Sequence, residues 1–172
     1  MLRQRLKNQI GHKLLFLFGL FLCIYPFVEQ DAVDYSIEDS MAILEIPEID
    51  LELPIYHGTE EEILQKGVGH MTESDLPVGG ESTHCLLAGH RGLPNALLFT
   101  RLNELEVGDE FVINLSGIRH AYVVCNISVI KPEDTRELGV QEGRDLISLI
   151  TCTPYGINTH RLVVTGERKE EP

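Results

Sequence analysis

Apolar positions beyond residue 41 fall into short runs broken by turn residues, whereas before residue 29 they form one long block. The short runs cover 42–46, 51–56, 83–88, 110–115, 119–129, 145–151 and 159–166, lengths and compositions that suit β-strands. The first two are joined around Pro47 and Asp50. Val107-Gly108-Asp109 reads as a turn into the strand at 110, and Ser116-Gly117 as a tight hairpin. A loop containing Pro154, Gly156 and Asn158 connects the last two runs. Thr59-Glu60-Glu61-Glu62 resembles a helix start, with acids favoured by the macrodipole, and predicts a helix to Lys66. A second short helix is expected over 95–102, capped by Asn95. Seven or eight short strands with few helices predict an all-β protein, an antiparallel barrel or sandwich.

The N-terminal block changes the picture. Residues 14–28 are uncharged, and counting from Ile10 gives nineteen residues with His12 and Lys13 near one edge, where lysine can snorkel. A spanning helix needs ~17–25 residues. The competing reading is a cleaved signal peptide, whose apolar region runs ~7–15 residues. No small-x-small cleavage site follows Val28; the next residues are Glu29, Gln30 and Asp31. The expectation is an uncleaved transmembrane signal-anchor over 10–28, with the basic residues of 1–9 keeping the N-terminus in the cytoplasm. An acidic linker, 29–41, then leads to an extracellular domain over 42–170, so the chain is expected at the cell membrane as a single-pass protein.

Hydrophobic residues make up 43% of the 172 and aromatics 6%, with no Trp, so the core must be mostly aliphatic. The net charge is -13, and the N-terminus concentrates the basic side: Arg3, Arg5, Lys7 and Lys13 face only Glu29 within residues 1–30. The remainder carries 10 basic and 26 acidic side chains, net -16. Such a body repels phosphate backbones, which argues against a nucleic-acid partner. The four cysteines, Cys23, Cys85, Cys125 and Cys152, form no C-x-x-C pair, which argues against structural zinc. A Cys85–Cys125 disulfide is left open, and no cofactor or metal is expected.

Candidate chemistry concentrates in two stretches. In the first, Cys152 ends one apolar run and Arg161 lies near the start of the next. Adjacent strands lie ~4.8 Å apart, so both side chains can flank one groove. A thiolate there can attack a carbonyl, and a fixed guanidinium can stabilise the oxyanion or hold the substrate. The plainer reading is an inert strand cysteine and a surface arginine. The second stretch, Gly89-His90-Arg91-Gly92, follows the strand that ends at Ala88 and places a histidine between glycines, where an acid/base can reach a substrate. His57, His70, His84, His120 and His160 have no such setting and read as packed or solvated. His84, Cys85 and His90 lack the carboxylate or second cysteine that would complete a metal site.

The stretch Leu149-Ile150-Thr151-Cys152, with Arg161 nine positions on, resembles the signature of sortases. The longer string from Thr151 to Leu162 is similar to the class C, pilus-associated branch, as are Leu76-Pro77-Val78-Gly79-Gly80 and the residues from Thr83 to Pro94. Leu98-Phe99-Thr100 and Gly108-Asp109 add to the likeness, which runs from about Met41 to Arg168. It implies a closed eight-stranded antiparallel β-barrel. It also implies Cys152 as nucleophile, His90 as general acid/base and Arg161 as oxyanion or substrate-positioning group. The implied reaction cleaves a Leu-Pro-x-Thr-Gly-like sorting signal through an acyl-thioester and passes the acyl group to an amine. The implied partners are surface proteins or pilins bearing a C-terminal signal, and a pilin lysine or cell-wall cross-bridge as acceptor, on a Gram-positive surface. A thiol hydrolase on the same scaffold and a non-catalytic membrane-tethered binding module are the alternatives.

Class C relatives carry an Asp-Pro-aromatic lid, and residues 29–45 contain none. An open groove is therefore expected, and deleting residues 1–41 should change the rate at which a bulky reagent labels Cys152 by less than about twofold. Parallel labelling of full-length and truncated protein, with Cys152→Ala as blank, checks this; a large acceleration on truncation would reveal a lid.

Overall fold

Alternation along the sequence becomes alternation of burial. In strand β1 (Ala42–Ile46) of the computed structural model, Ala42, Leu44 and Ile46 are buried while Ile43 and Glu45 are partly exposed. In β5 (Glu110–Leu115), Phe111 and Ile113 turn inward in the same way. The structure describes residues 39–92 and 97–169. The other strands are β2 (Leu51–His57), β3 (Val68–His70), β4 (Thr83–Ala88), β6 (Ile118–Ile130), β7 (Asp145–Thr153) and β8 (His160–Arg168).

The eight strands close into a barrel in the order β1-β2-β3-β4-β7-β8-β6-β5, with β5 returning to β1 through pairs such as Leu44↔Ile113. This is the expected all-β barrel. Its seams are antiparallel except for two, β2–β3 and β4–β7, which are parallel. Closure leaves no free sheet edge among these strands. The β5–β6 hairpin turns at Ser116 and Gly117, both with positive φ (51° and 90°), as a two-residue loop requires. On β6 the register shifts between Val124 and Asn126, leaving Cys125 as the extra residue of a bulge.

Several local expectations shift. β3 has no counterpart in the sequence reading, because a Val-Gly-His triplet is too short to display a period. The helix expected to run to Lys66 is one turn, α1 (Glu61–Leu64), which starts from Glu60 without a side-chain cap. The second helix is a 3₁₀ segment, Leu98–Glu104, with a kink at Phe99. Asn95, its expected cap, lies outside the described residues, as do the membrane span over 10–28 and the linker up to residue 38. Among the described residues, no helix is long and apolar enough to cross a membrane.

The barrel interior is filled mainly by aliphatic side chains, with Phe99, Phe111 and Tyr122 as its large aromatics. Phe111 stacks on Tyr122 with ring centroids 5.5 Å apart. The absence of a side chain at Gly166 makes room: a Cβ there would come within 2.4 Å of the Phe111 ring. A second apolar cluster lies on the outer face of the sheet, made of Leu86, Ile130, Ile150 and Val163, with Met71 and Leu138 packed against it. β7 and β8 are therefore buried on both faces.

A buried polar chain crosses the same sheet. His84 Nε2 lies 2.8 Å from Ser148 Oγ, which lies 2.8 Å from Thr165 Oγ1, and His84 Nδ1 donates to the Gly139 carbonyl at 3.0 Å. Burial pushes the His84 pKa down, against the opposing pull of the Gly139 hydrogen bond. The neutral ring is thus the folded form, and the unfolded chain binds the proton more readily. Stability from this group is complete above the ordinary histidine range and is lost as pH falls through it. The melting temperature is expected to fall as pH drops from about 6.5, the free-histidine value, downward, with this group contributing little slope above it. His84→Gln should flatten that slope; an unchanged slope would show that other groups set it.

Cys85, Cys125 and Cys152 are free thiols, so the Cys85–Cys125 disulfide is not formed. β4 and β6 are separated by β7 and β8 in the barrel order, and Cys85 belongs to the core while Cys125 sits at the bulge, donating to the Thr165 carbonyl at 3.3 Å.

Candidate active site

Period two decides which face carries the chemistry. On β7, Ile147 and Leu149 belong to the inner core and Ile150 to the outer cluster, so Cys152 projects outward with Ile150. On β8, Leu162 and Val164 are inner and Val163 outer, which puts Arg161 on the outer face as well. The antiparallel register pairs Cys152 directly with Arg161. β4 supplies the third group. Its parallel register with β7 ends at Ala88↔Ile150 and continues through Gly89, whose N–H donates to the Ile150 carbonyl at 3.0 Å. Thr151 Oγ1 donates to the Gly89 carbonyl at 2.8 Å. His90 therefore leaves the sheet level with Cys152, on the face that carries Leu86. The register thus places the three residues singled out in the sequence on one outer face of the barrel, beside the buried cluster of Leu86, Ile150 and Val163.

The turn that carries His90 is held from below. The Phe99 ring packs where a Gly89 side chain would be: a Cβ there would lie 2.7 Å from the ring. Phe99 N–H donates to the His90 carbonyl at 3.0 Å, and Thr100 Oγ1 donates to the Arg91 carbonyl at 2.8 Å. Arg91 then reaches across to β7, with Nη1 2.6 Å from Thr153 Oγ1 and Nη2 2.8 Å from Asn103 Oδ1. It clamps the His90 turn to the residue after Cys152. Hydrogen bonds from a charged donor are worth about 1.5–3 kcal/mol, so Arg91→Ala should lower the melting temperature by several degrees and peptide turnover by tenfold or more. Melting and turnover assays on one preparation check this; a variant with unaltered turnover would show that the clamp does not set the site.

Cys152 is half-buried, and among the described residues its sulfur has no hydrogen bond to His90 or Arg161. Arg161 Nη1 donates to the carbonyls of His160 (3.1 Å) and Asn158 (3.3 Å), which ties the guanidinium to the β7–β8 loop. His90 Nε2 instead lies 3.3 Å from Glu61 Oε1 on α1. The Glu61 carboxyl is held below its usual range, first by the hydrogen bond from Gln65 and then by His90. Sequence reasoning read Glu61 only as a helix-start acid and Arg91 only as part of a motif, since their partners lie 29 and 62 residues away. Cys85 offers no competing nucleophile: burial, with Asp75 and Asp145 adding, pushes its thiol far up. Among the described residues no cluster of His, Cys, Asp and Glu could hold a metal ion.

The arrangement suits acyl transfer through a thioester, and the comparisons with known proteins agree. The family described as "Sortase domain" matches residues 44–169. This chain belongs to the sortase family. It is 36% identical over 129 residues to sortase D of Bacillus subtilis, covering 73% of this chain and 62% of that protein. Its fold is similar to the crystal structure of sortase C1 from Streptococcus agalactiae, with a TM-score of 0.76 and 46% identity over 78% of this chain and 69% of that one. Sortase C-1 from Streptococcus pneumoniae matches equally well, at TM-score 0.76 and 46% identity over 80% and 71%. The chain thus spans a little under two thirds of the length of the Bacillus relative. Sortases are cysteine transpeptidases, and this sortase carries a cysteine, a histidine and an arginine on one outer face of its barrel.

Proposed function

We propose that this chain is a membrane-anchored transpeptidase that cleaves a Leu-Pro-x-Thr-Gly-like sorting signal and joins its acyl part to an amine. One observation carries the reading: Cys152 and Arg161 are cross-strand partners, and His90 leaves β4 level with them. In this scheme the Cys152 thiolate attacks the threonine carbonyl carbon, and the C–S bond forms as electrons move onto oxygen. Arg161 stabilises that oxyanion. The C–N bond then breaks while protonated His90 delivers its proton to the departing glycine amine, leaving a thioester. An incoming amine gives a proton to neutral His90 as it attacks the thioester, and the sulfur leaves as thiolate. Residues 10–28 would tether the domain to the outer face of a cell membrane, near substrates that emerge there. Likeness to class C structures favours pilins or other surface proteins as donors, and a pilin lysine or cell-wall cross-bridge as acceptor.

Full-length protein in detergent, mixed with a sorting-signal peptide with and without a lysine-containing acceptor, tests the reading by mass spectrometry. A peptide–Cys152 thioester and an amide product that needs the acceptor are expected. Free acid as the only product, whether or not amine is present, would indicate a hydrolase, and no thioester at all would leave a binding module.

A further inference from the structure

We propose that Glu61 is the positioning residue of His90, holding the Nε2 side of its ring so that Nδ1 is the nitrogen that gives and takes the proton. This rests on the reading of His90 as the acid/base. The contact joins α1 to the turn after β4, 29 residues apart, with Glu61 Oε1 3.3 Å from His90 Nε2. Among the described residues, Glu61 is the sole hydrogen-bonding partner of the His90 ring.

Both ends of the contact are braced. The same Oε1 accepts a hydrogen bond from Gln65 Nε2 at 3.1 Å, one helical turn on. α1 itself sits against the sheet through a gap at Gly69, where a Cβ would lie 3.0 Å from Leu64 Cδ2 and 2.4 Å from the Gly58 carbonyl. On the other side, the His90 backbone is fixed by Phe99 N–H, and its neighbours by Ile150, Thr100 and the Arg91 clamp. Ring rotation is the freedom left to His90, and the carboxylate restrains it.

An ionised carboxylate can only accept, so the nitrogen facing it carries a hydrogen. Nε2–H therefore persists in both protonation states of the ring. Nδ1 alone loses its proton to the departing amine and regains one from the incoming amine. Glu61 takes no proton at any step; it fixes the tautomer and orientation, as the third group behind a nucleophile–base pair does.

The test compares wild type, Glu61→Ala and Glu61→Gln as full-length proteins, with ¹⁵N-labelled histidine. In wild type the His90 ring nitrogens should show a neutral form protonated at Nε2. Glu61→Ala should shift that signature toward a mixture of tautomers and lower kcat by about three- to fivefold, the scale of an exposed pair, with KM for the peptide unchanged. Glu61→Gln keeps an accepting oxygen and should restore the Nε2–H signature and most of kcat. An identical tautomer signature in wild type and Glu61→Ala, or a loss expressed in KM alone, would overturn the proposal. If wild type forms no thioester, the transpeptidase reading fails, while the ring-nitrogen spectra still decide whether Glu61 holds His90.

Discussion

Cys152→Ala is expected to leave no acyl-enzyme and to lower peptide cleavage by several orders of magnitude, the usual consequence of deleting a nucleophile. The fold should survive. Cys152 lies near the end of β7 with its side chain half-buried, and its structural contacts run through the backbone: pairing with Arg161 on β8 and a long contact from Arg91 to its carbonyl oxygen. Removing one sulfur there opens little cavity, so stability should change by roughly 1 kcal/mol or less. Intact-mass measurement after mixing with a sorting-signal peptide, beside thermal melting, separates the two effects. Cys85→Ala and Cys125→Ala serve as controls and should still form the thioester, since one thiol lies in the core and the other at the β6 bulge. Cleavage by Cys152→Ala at a rate near that of wild type would remove Cys152 from the mechanism.

The legibility of this barrel in its sequence varies with the range of the interaction involved. β1, β4 and β5 begin and end where the apolar runs do, because turn residues bound them. β7 and β8 each run two residues past their apolar part, to Thr153 and Arg168. Ladder hydrogen bonds belong to the backbone and do not stop where side chains turn polar. β3 carries too few residues to show a period. The two parallel seams are invisible locally, since β4 meets β7 across about sixty residues of chain and no short pattern specifies that partner. The site divides in the same way. Cys152 and Arg161 stand out because one hairpin sets them opposite each other. His90 stands out because glycines flank it at a strand end. Arg91 and Glu61 act through partners brought near only by barrel closure, and each looks like an ordinary surface charge in the sequence.

That division bears on Arg161, whose planar fork would serve two tasks under the proposed mechanism. Nη1 is taken by the carbonyls of Asn158 and His160, and among the described residues Nε and Nη2 have no hydrogen-bond partner. The side chain can therefore stay anchored to the β7–β8 loop and still offer N–H groups to an oxyanion beside Cys152, its cross-strand neighbour. Lysine keeps the charge but has a single nitrogen on a flexible stem, so it either bonds the loop or turns toward Cys152. Arg161→Lys is accordingly expected to lose about 2.7–4 kcal/mol of transition-state stabilisation, two to three decades in kcat, the usual worth of an oxyanion donor. Arg161→Ala should lose at least as much. Single-turnover measurement of thioester formation reads the acylation step directly and keeps it apart from amine attack. A drop smaller than about threefold for Arg161→Lys would mean that charge alone suffices and the fork geometry plays no part. A normal acylation rate in both variants would reduce Arg161 to a structural tie for the loop.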